Sequence, residues 1–147
     1  MNRCHTRRAF RQLLLVSVHV PSRSLTYASA GHPSGYVLDR RGAVRSELPA
    51  TGVPLGLFAD SAYETHSALH LETGDTLVLL TDGVTDCGTP EEELFGAERA
   101  LEVIRSSLSA RSSDIVEGLY RAVRAFEKGG AQRDDVTTVF VRRLPRT

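Results

Sequence analysis

Before Asp39 the chain has no acidic residue, and over its whole length it has two cysteines and a single lysine, Lys128. Each scarcity closes off a class of protein. Cys4 and Cys87 stand far apart with no metal-type spacing, which excludes a disulfide framework or a zinc module and points to a reducing, cytoplasmic setting. No apolar run approaches the length that a bilayer-spanning helix needs. Leu13-Leu14-Leu15-Val16 follows an Arg-rich start, but His19, Pro21, Ser22, Arg23 and Ser24 separate it from Ala28-Ser29-Ala30, which argues against a signal peptide. A Gly-x-x-x-x-Gly-Lys phosphate loop is missing, and so is a Gly-x-Ser-x-Gly elbow. Cys87 has no histidine near it in sequence, so nucleophilic cysteine chemistry has little support.

What is present is an ordinary globular composition: 147 residues, 41% hydrophobic and 24% charged, enough for one domain with a real core. The net charge of zero hides an asymmetry. Eight arginines face one acid through Ser46, whereas 17 acids stand against 10 bases from Glu47 onward. No nucleic-acid motif accompanies the arginines, so they read as solvated loop and strand-edge residues.

Residues 1–12 carry no apolar period and read as a disordered or non-native leader; residues 13–143 read as the domain. Gln12–Val20 is rich in Leu and Val and predicts a buried strand, paired through Pro21-Ser22-Arg23-Ser24 with a second that starts at Leu25. Ala30-Gly31-His32-Pro33 breaks that pair. Gly35–Leu38 and Ala43–Leu48 complete an expected antiparallel meander. Tyr63–Leu71 alternates, and Glu72-Thr73-Gly74-Asp75 is expected to turn it into the strand Thr76–Leu80.

The period then changes. Ala97, Leu101, Ile104 and Leu108 recur at helical spacing, as do Ile115, Leu119, Val123 and Phe126. Thr89-Pro90-Glu91-Glu92 resembles a capped helix start, with Gly96 dividing it from the main helix, and Ser113 or Asp114 is expected to cap the second helix, which Gly129-Gly130 ends. A last strand, Val136–Val141, follows Asp134. Strands, a helix pair and one returning strand predict an α+β fold with helices across an antiparallel sheet.

Two acidic positions stand out. Asp82 directly follows the apolar strand Thr76–Leu80, and Asp134-Asp135 precedes the last one. Rigid strand ends can hold carboxylates in fixed geometry, and hard cations such as Mg²⁺ or Mn²⁺ take oxygen ligands in just such arrangements. Gly83 lets a ligand approach the backbone closely. Each signal alone has a plainer reading: Asp-Gly is a common turn dipeptide, and adjacent acids are often solvated. If the two strands are neighbours, Asp82 and Asp134 can share a metal site. His32, in Ala-Gly-His-Pro, either orders a turn or lines a site.

The motifs Tyr27-Ala28-Ser29-Ala30-Gly31-His32-Pro33, Gly52-Val53-Pro54-Leu55-Gly56, Gly74-Asp75, Leu79-Leu80-Thr81-Asp82-Gly83-Val84-Thr85-Asp86, Phe95-Gly96 and Asp134-Asp135-Val136-Thr137 occur in order. Together they resemble the PPM-type metal-dependent protein serine/threonine phosphatases, in the bacterial branch named after sporulation stage II protein E, from about Leu13 to Val141. The resemblance implies an αββα sandwich holding two Mn²⁺ or Mg²⁺ ions, with a metal-activated water attacking phosphoserine or phosphothreonine. It implies Asp82 and Asp134 as metal ligands, with Asp135 at the neighbouring position. It also implies partners such as a phosphorylated anti-sigma-factor antagonist in partner-switching signalling.

One departure matters. The family's bridging aspartate precedes the Ala-Gly-His turn, and this chain has no acid there. The expectation is therefore a sandwich incomplete at its N-terminus, the C-terminal two-thirds of a domain from a truncated or mis-started frame, holding one ion or none and impaired as it stands. The alternative is a non-catalytic module on the same fold that binds a phosphoprotein or other partner. A phosphoacceptor receiver domain is rejected, because its acidic pair precedes the strand-end aspartate and its strands alternate with helices.

Overall fold

A computed structural model describes residues 10–88, 93–127 and 135–145. In chain order the elements are β1 (Leu13–His19), β2 (Ser24–Ala30), β3 (Gly35–Leu38), β4 (Val44–Leu48), β5 (His66–His70), β6 (Thr76–Leu80), α1 (Asp82–Thr85), α2 (Gly96–Ser106), α3 (Ser112–Phe126) and β7 (Thr138–Arg142). The chain divides into two compact units, one made of residues up to His32 together with Pro49–His70, the other of Pro33–Leu48 and the residues from Leu71 onward.

The first unit holds a three-stranded antiparallel sheet in the order β1-β2-β5. Its hairpin runs in unbroken register from Leu13 opposite Ala30 to His19 opposite Ser24. Arg23 makes the turn possible with φ of 60°, a left-handed conformation that costs a side-chain-bearing residue some strain. Beyond β2, Gly31 has φ of +68°, and a Cβ there would lie 2.7 Å from Pro54 Cδ. Only glycine fits, which explains the break seen in Ala-Gly-His-Pro.

The second unit holds a four-stranded antiparallel sheet in the order β4-β3-β6-β7. Its central strand, β6, pairs on both sides, with Leu77 opposite both Val37 and Val141. Central strands bury both faces, hence the nearly continuous apolar run Leu77–Leu80. Helices α2 and α3 pack on one face. Leu38, Val78 and Leu80 from the sheet join Ala100, Leu101, Ile104, Ile115, Leu119 and Val123 from the helices in one buried cluster. Burying each of its larger aliphatic side chains is worth about 1.5–3 kcal/mol. Phe95 meets Phe126 edge to face at 5.3 Å between centroids.

Several expectations need correction. The first four strands do not form one meander: β2 and β3 lie in different sheets, because the chain leaves the first sheet at Gly31. β5 and β6, also consecutive, likewise lie in different sheets. Neither Ser113 nor Asp114 caps α3; Arg111 occupies the capping position in extended conformation, and the Ser113 hydroxyl donates to Asp114 Oδ1 instead. The last strand begins at Thr138, two residues later than read. The strand read as buried over Gln12–Val20 is mostly exposed: β1 is an edge strand of its sheet, and Leu13, Leu15, Val18 and Val20 lie open. The expected helix start at Thr89–Glu92, the glycine stop at Gly129-Gly130 and most of the leader lie outside the described residues.

Candidate functional site

Strands β6 and β7 are hydrogen-bonded neighbours, with Leu80 opposite Thr138. One step further the ladder changes its chemistry. Thr81 N–H donates to Thr137 O at 3.1 Å, as an antiparallel pair requires. The return bond does not go to the Thr81 carbonyl, which accepts Val84 N–H at 2.9 Å and so starts α1. Thr137 N–H donates instead to the Thr81 hydroxyl, at 3.0 Å. A side-chain oxygen thus replaces a backbone one, and the chain turns at Asp82 while the exposed Thr137 N–H keeps a partner on β6's end. The same hydroxyl has its own proton directed at Asp135 O, 3.2 Å away, with Thr137 O at 3.3 Å.

Gly83 completes the junction. A Cβ at this buried glycine would lie 2.8 Å from the carbonyl carbon of Asp135, so the two backbones pass in direct contact. Asp82 Oδ1 accepts the Gly83 N–H at 3.0 Å, and Asp82 is half-buried at the start of α1. Asp135 is exposed, three residues ahead of β7. The sequence-predicted positions Asp82, Gly83 and Asp135 therefore meet at one end of the second unit's sheet. Asp134 lies outside the described residues. His32 belongs to the first unit, just beyond β2.

The donors at this junction are carboxylate and carbonyl oxygens, the set that suits a hard divalent cation rather than zinc or copper. By type the residues fit Mg²⁺ or Mn²⁺. Among the described residues no three His, Cys, Asp or Glu side chains gather at one point.

Thr81 is the residue that sequence reasoning missed. A signal was there: a hydroxyl residue at the last step of an apolar strand can satisfy the backbone where the ladder ends. Cys87 has the opposite character. It sits in the helix-sheet core, donates weakly to Val123 O at 3.7 Å, and burial pushes its thiol up to about 11, with the nearby Glu127 carboxylate adding to the effect. A thiol so placed is inert. Asp75, also singled out by sequence, is a buried structural acid that receives the Arg45 guanidinium and, at 2.7 Å, the Glu72 N–H. Among the described residues no helix is long and apolar enough to cross a membrane.

Comparison with known proteins agrees with this architecture. A family model described as Stage II sporulation protein E (SpoIIE) matches residues 1–144. Protein IcfG of Synechocystis sp. (strain ATCC 27184 / PCC 6803 / Kazusa) is 30% identical over 134 residues, covering 91% of this chain and 21% of that protein. Phosphoserine phosphatase RsbU of Bacillus subtilis (strain 168) is 28% identical over 134 residues, covering 91% of this chain and 39% of that protein. The solved SiaA-PP2C domain of Pseudomonas aeruginosa superposes with a TM-score of 0.76 at 27% identity, over 89% of this chain and 51% of that one. The chain thus spans well under half the length of these curated relatives, and about half of the solved domain. With a PP2C-like α+β fold and a family match across nearly its whole length, the chain belongs to the Stage II sporulation protein E (SpoIIE) family.

Proposed function

We propose that this chain is a metal-dependent protein serine/threonine phosphatase domain, acting on a phosphoserine or phosphothreonine protein of the anti-sigma-antagonist kind in partner-switching signalling. The observation that carries the reading is the junction of Asp82 with the Asp135 segment at the end of two paired strands. Family membership supports it, as does the phosphoserine phosphatase RsbU among the relatives. The phosphatase domain of SpoIIE from Bacillus subtilis, which shares the fold at a TM-score of 0.64, has been solved after manganese presoaking.

In this reading Asp82 and Asp134 hold the ion, with Asp135 beside them. A bound Mg²⁺ or Mn²⁺ supplies an activated water and neutralises phosphate oxygens. The chain's own residues supply position. Strand pairing fixes the end of β6, the Thr81 hydroxyl fixes the facing segment, and Gly83, whose open side the Asp135 backbone fills, lets the two segments meet rather than admitting a ligand. Since no acid precedes Asp39, the upstream bridging ligand is not among these 147 residues. The second reading is a non-catalytic module on the same fold that binds a phosphoprotein through the same face.

Hydrolysis of a phosphoserine peptide by the purified chain with Mn²⁺ tests the first reading. Turnover that disappears in Asp82→Asn supports it. No turnover, with phosphopeptide binding retained in both proteins, replaces it with the second.

A further inference from the structure

We propose that Thr81 is a positioning residue for the metal junction, holding Asp82 and the Asp135 segment at a fixed separation; this rests on the metal-dependent reading above. The hydroxyl makes three short contacts with the facing segment: it accepts from Thr137 N–H at 3.0 Å and lies 3.2 Å from Asp135 O and 3.3 Å from Thr137 O. Asp82 is bonded covalently to Thr81, and Asp135 carries the carbonyl that faces the Thr81 hydroxyl. Both acidic positions therefore hang from one clamp.

The physical need for a clamp is specific to this place. Ladder pairing normally carries such positioning, but here the Thr81 carbonyl is taken by α1 and cannot return the bond from Thr137. Without the hydroxyl, the segment before β7 is tied to β6 at this step by the single bond from Thr81 N–H to Thr137 O. Asp82 itself is held by Gly83 N–H, a bond within its own loop, which fixes the carboxylate but not its distance from Asp135. A segment loosened at this step has to be closed again when the ion binds, which lowers metal affinity.

The chain's geometry also predicts which substitutions matter. Valine keeps the shape of Thr81 and removes acceptor and donor together. Serine keeps both and removes only a methyl group. A merely packing role for Thr81 would make serine the more harmful change; a positioning role makes valine so.

The test is Mn²⁺ titration by calorimetry on the full chain, with thermal unfolding of each metal-free protein as a control. Thr81→Val is expected to weaken Mn²⁺ binding about tenfold or more while Thr81→Ser stays within about threefold, the range for residues that orient metal ligands. Equal affinity in wild type and Thr81→Val overturns the proposal and leaves the phosphatase reading standing. No Mn²⁺ binding by the wild-type chain overturns that reading and the proposal with it. Should Thr81→Val fail to fold, hydrogen exchange on the unaltered chain decides: added Mg²⁺ is expected to slow exchange at the Thr137 amide, and unchanged exchange there overturns the clamp.

Discussion

Gly83 lies against the backbone of Asp135, so close that a Cβ at position 83 would sit 2.8 Å from the Asp135 carbonyl carbon. The contact is between two main chains, and neither can rotate away as a side chain would. Gly83→Ala therefore forces the strand-end loop and the Asp135 segment apart. The expected cost is about 1–3 kcal/mol of stability, the range for overpacking. Urea unfolding measures it, and an unchanged midpoint would show that the two segments are not held together.

Ile104 is fully buried where α2 meets the sheet. Ile104→Ala removes three carbons from a closed site, and the loss is expected at about 2–5 kcal/mol. The exposed Val116, on the outer side of α3, is the control. Val116→Ala should change stability by less than about 0.5 kcal/mol, as surface substitutions do. Similar effects at both positions would contradict the packing of α2 on the sheet.

Arg45 neutralises the buried Asp75, whose carboxylate also receives Glu72 N–H. Arg45→Met leaves that charge buried without its cation. Because Arg45 is itself one-third exposed, water moderates the loss, and about 1–3 kcal/mol is expected. The tie matters to the second unit's sheet, since Asp75 O accepts Arg143 N–H at 2.9 Å just beyond β7. Chemical denaturation of Arg45→Met should show an earlier midpoint with an unchanged slope.

Cys87 makes stability depend on alkaline pH. Burial, and then Glu127, raise its thiol from the ordinary 9.0 to about 11 in the folded protein. Below the lower value both states keep the proton and there is no effect. Above it the unfolded chain releases its proton first, so stability declines through about pH 11. Cys87→Ala should lack this part of the decline when unfolding midpoints are compared at about pH 8 and about pH 10.5. In a Cys4→Ser background the native thiol should stay unreactive toward a disulfide reagent until the protein unfolds.

Much of the second unit was legible before any coordinates. The apolar run Thr76–Leu80 named the strand β6, and the helical spacing of Ile104, Ile115, Leu119 and Val123 named the face that α2 and α3 bury. Period is a local property, and these segments repeat it long enough to be read. The partition of strands into two sheets was not legible, because β2 and β3 have similar patterns and only the left-handed Gly31 separates them. The one-turn helix α1 is too short to show a period. Nor did the letters around Ser113 reveal that its hydroxyl would spend itself on Asp114.

Residue order alone settled which acids lie beside strand ends: Asp82 follows β6 and Asp135 precedes β7, whatever the rest of the chain does. Their convergence is a matter of tertiary structure. It depends on β7 returning alongside β6 from more than fifty positions away, on Thr81 surrendering its carbonyl to a helix while its hydroxyl keeps the strand partner, and on Gly83 admitting another backbone. Those are long-range hydrogen bonds and close contacts. A pattern of neighbours in sequence carries no record of them, since which donor meets which acceptor is decided only when the sheet closes.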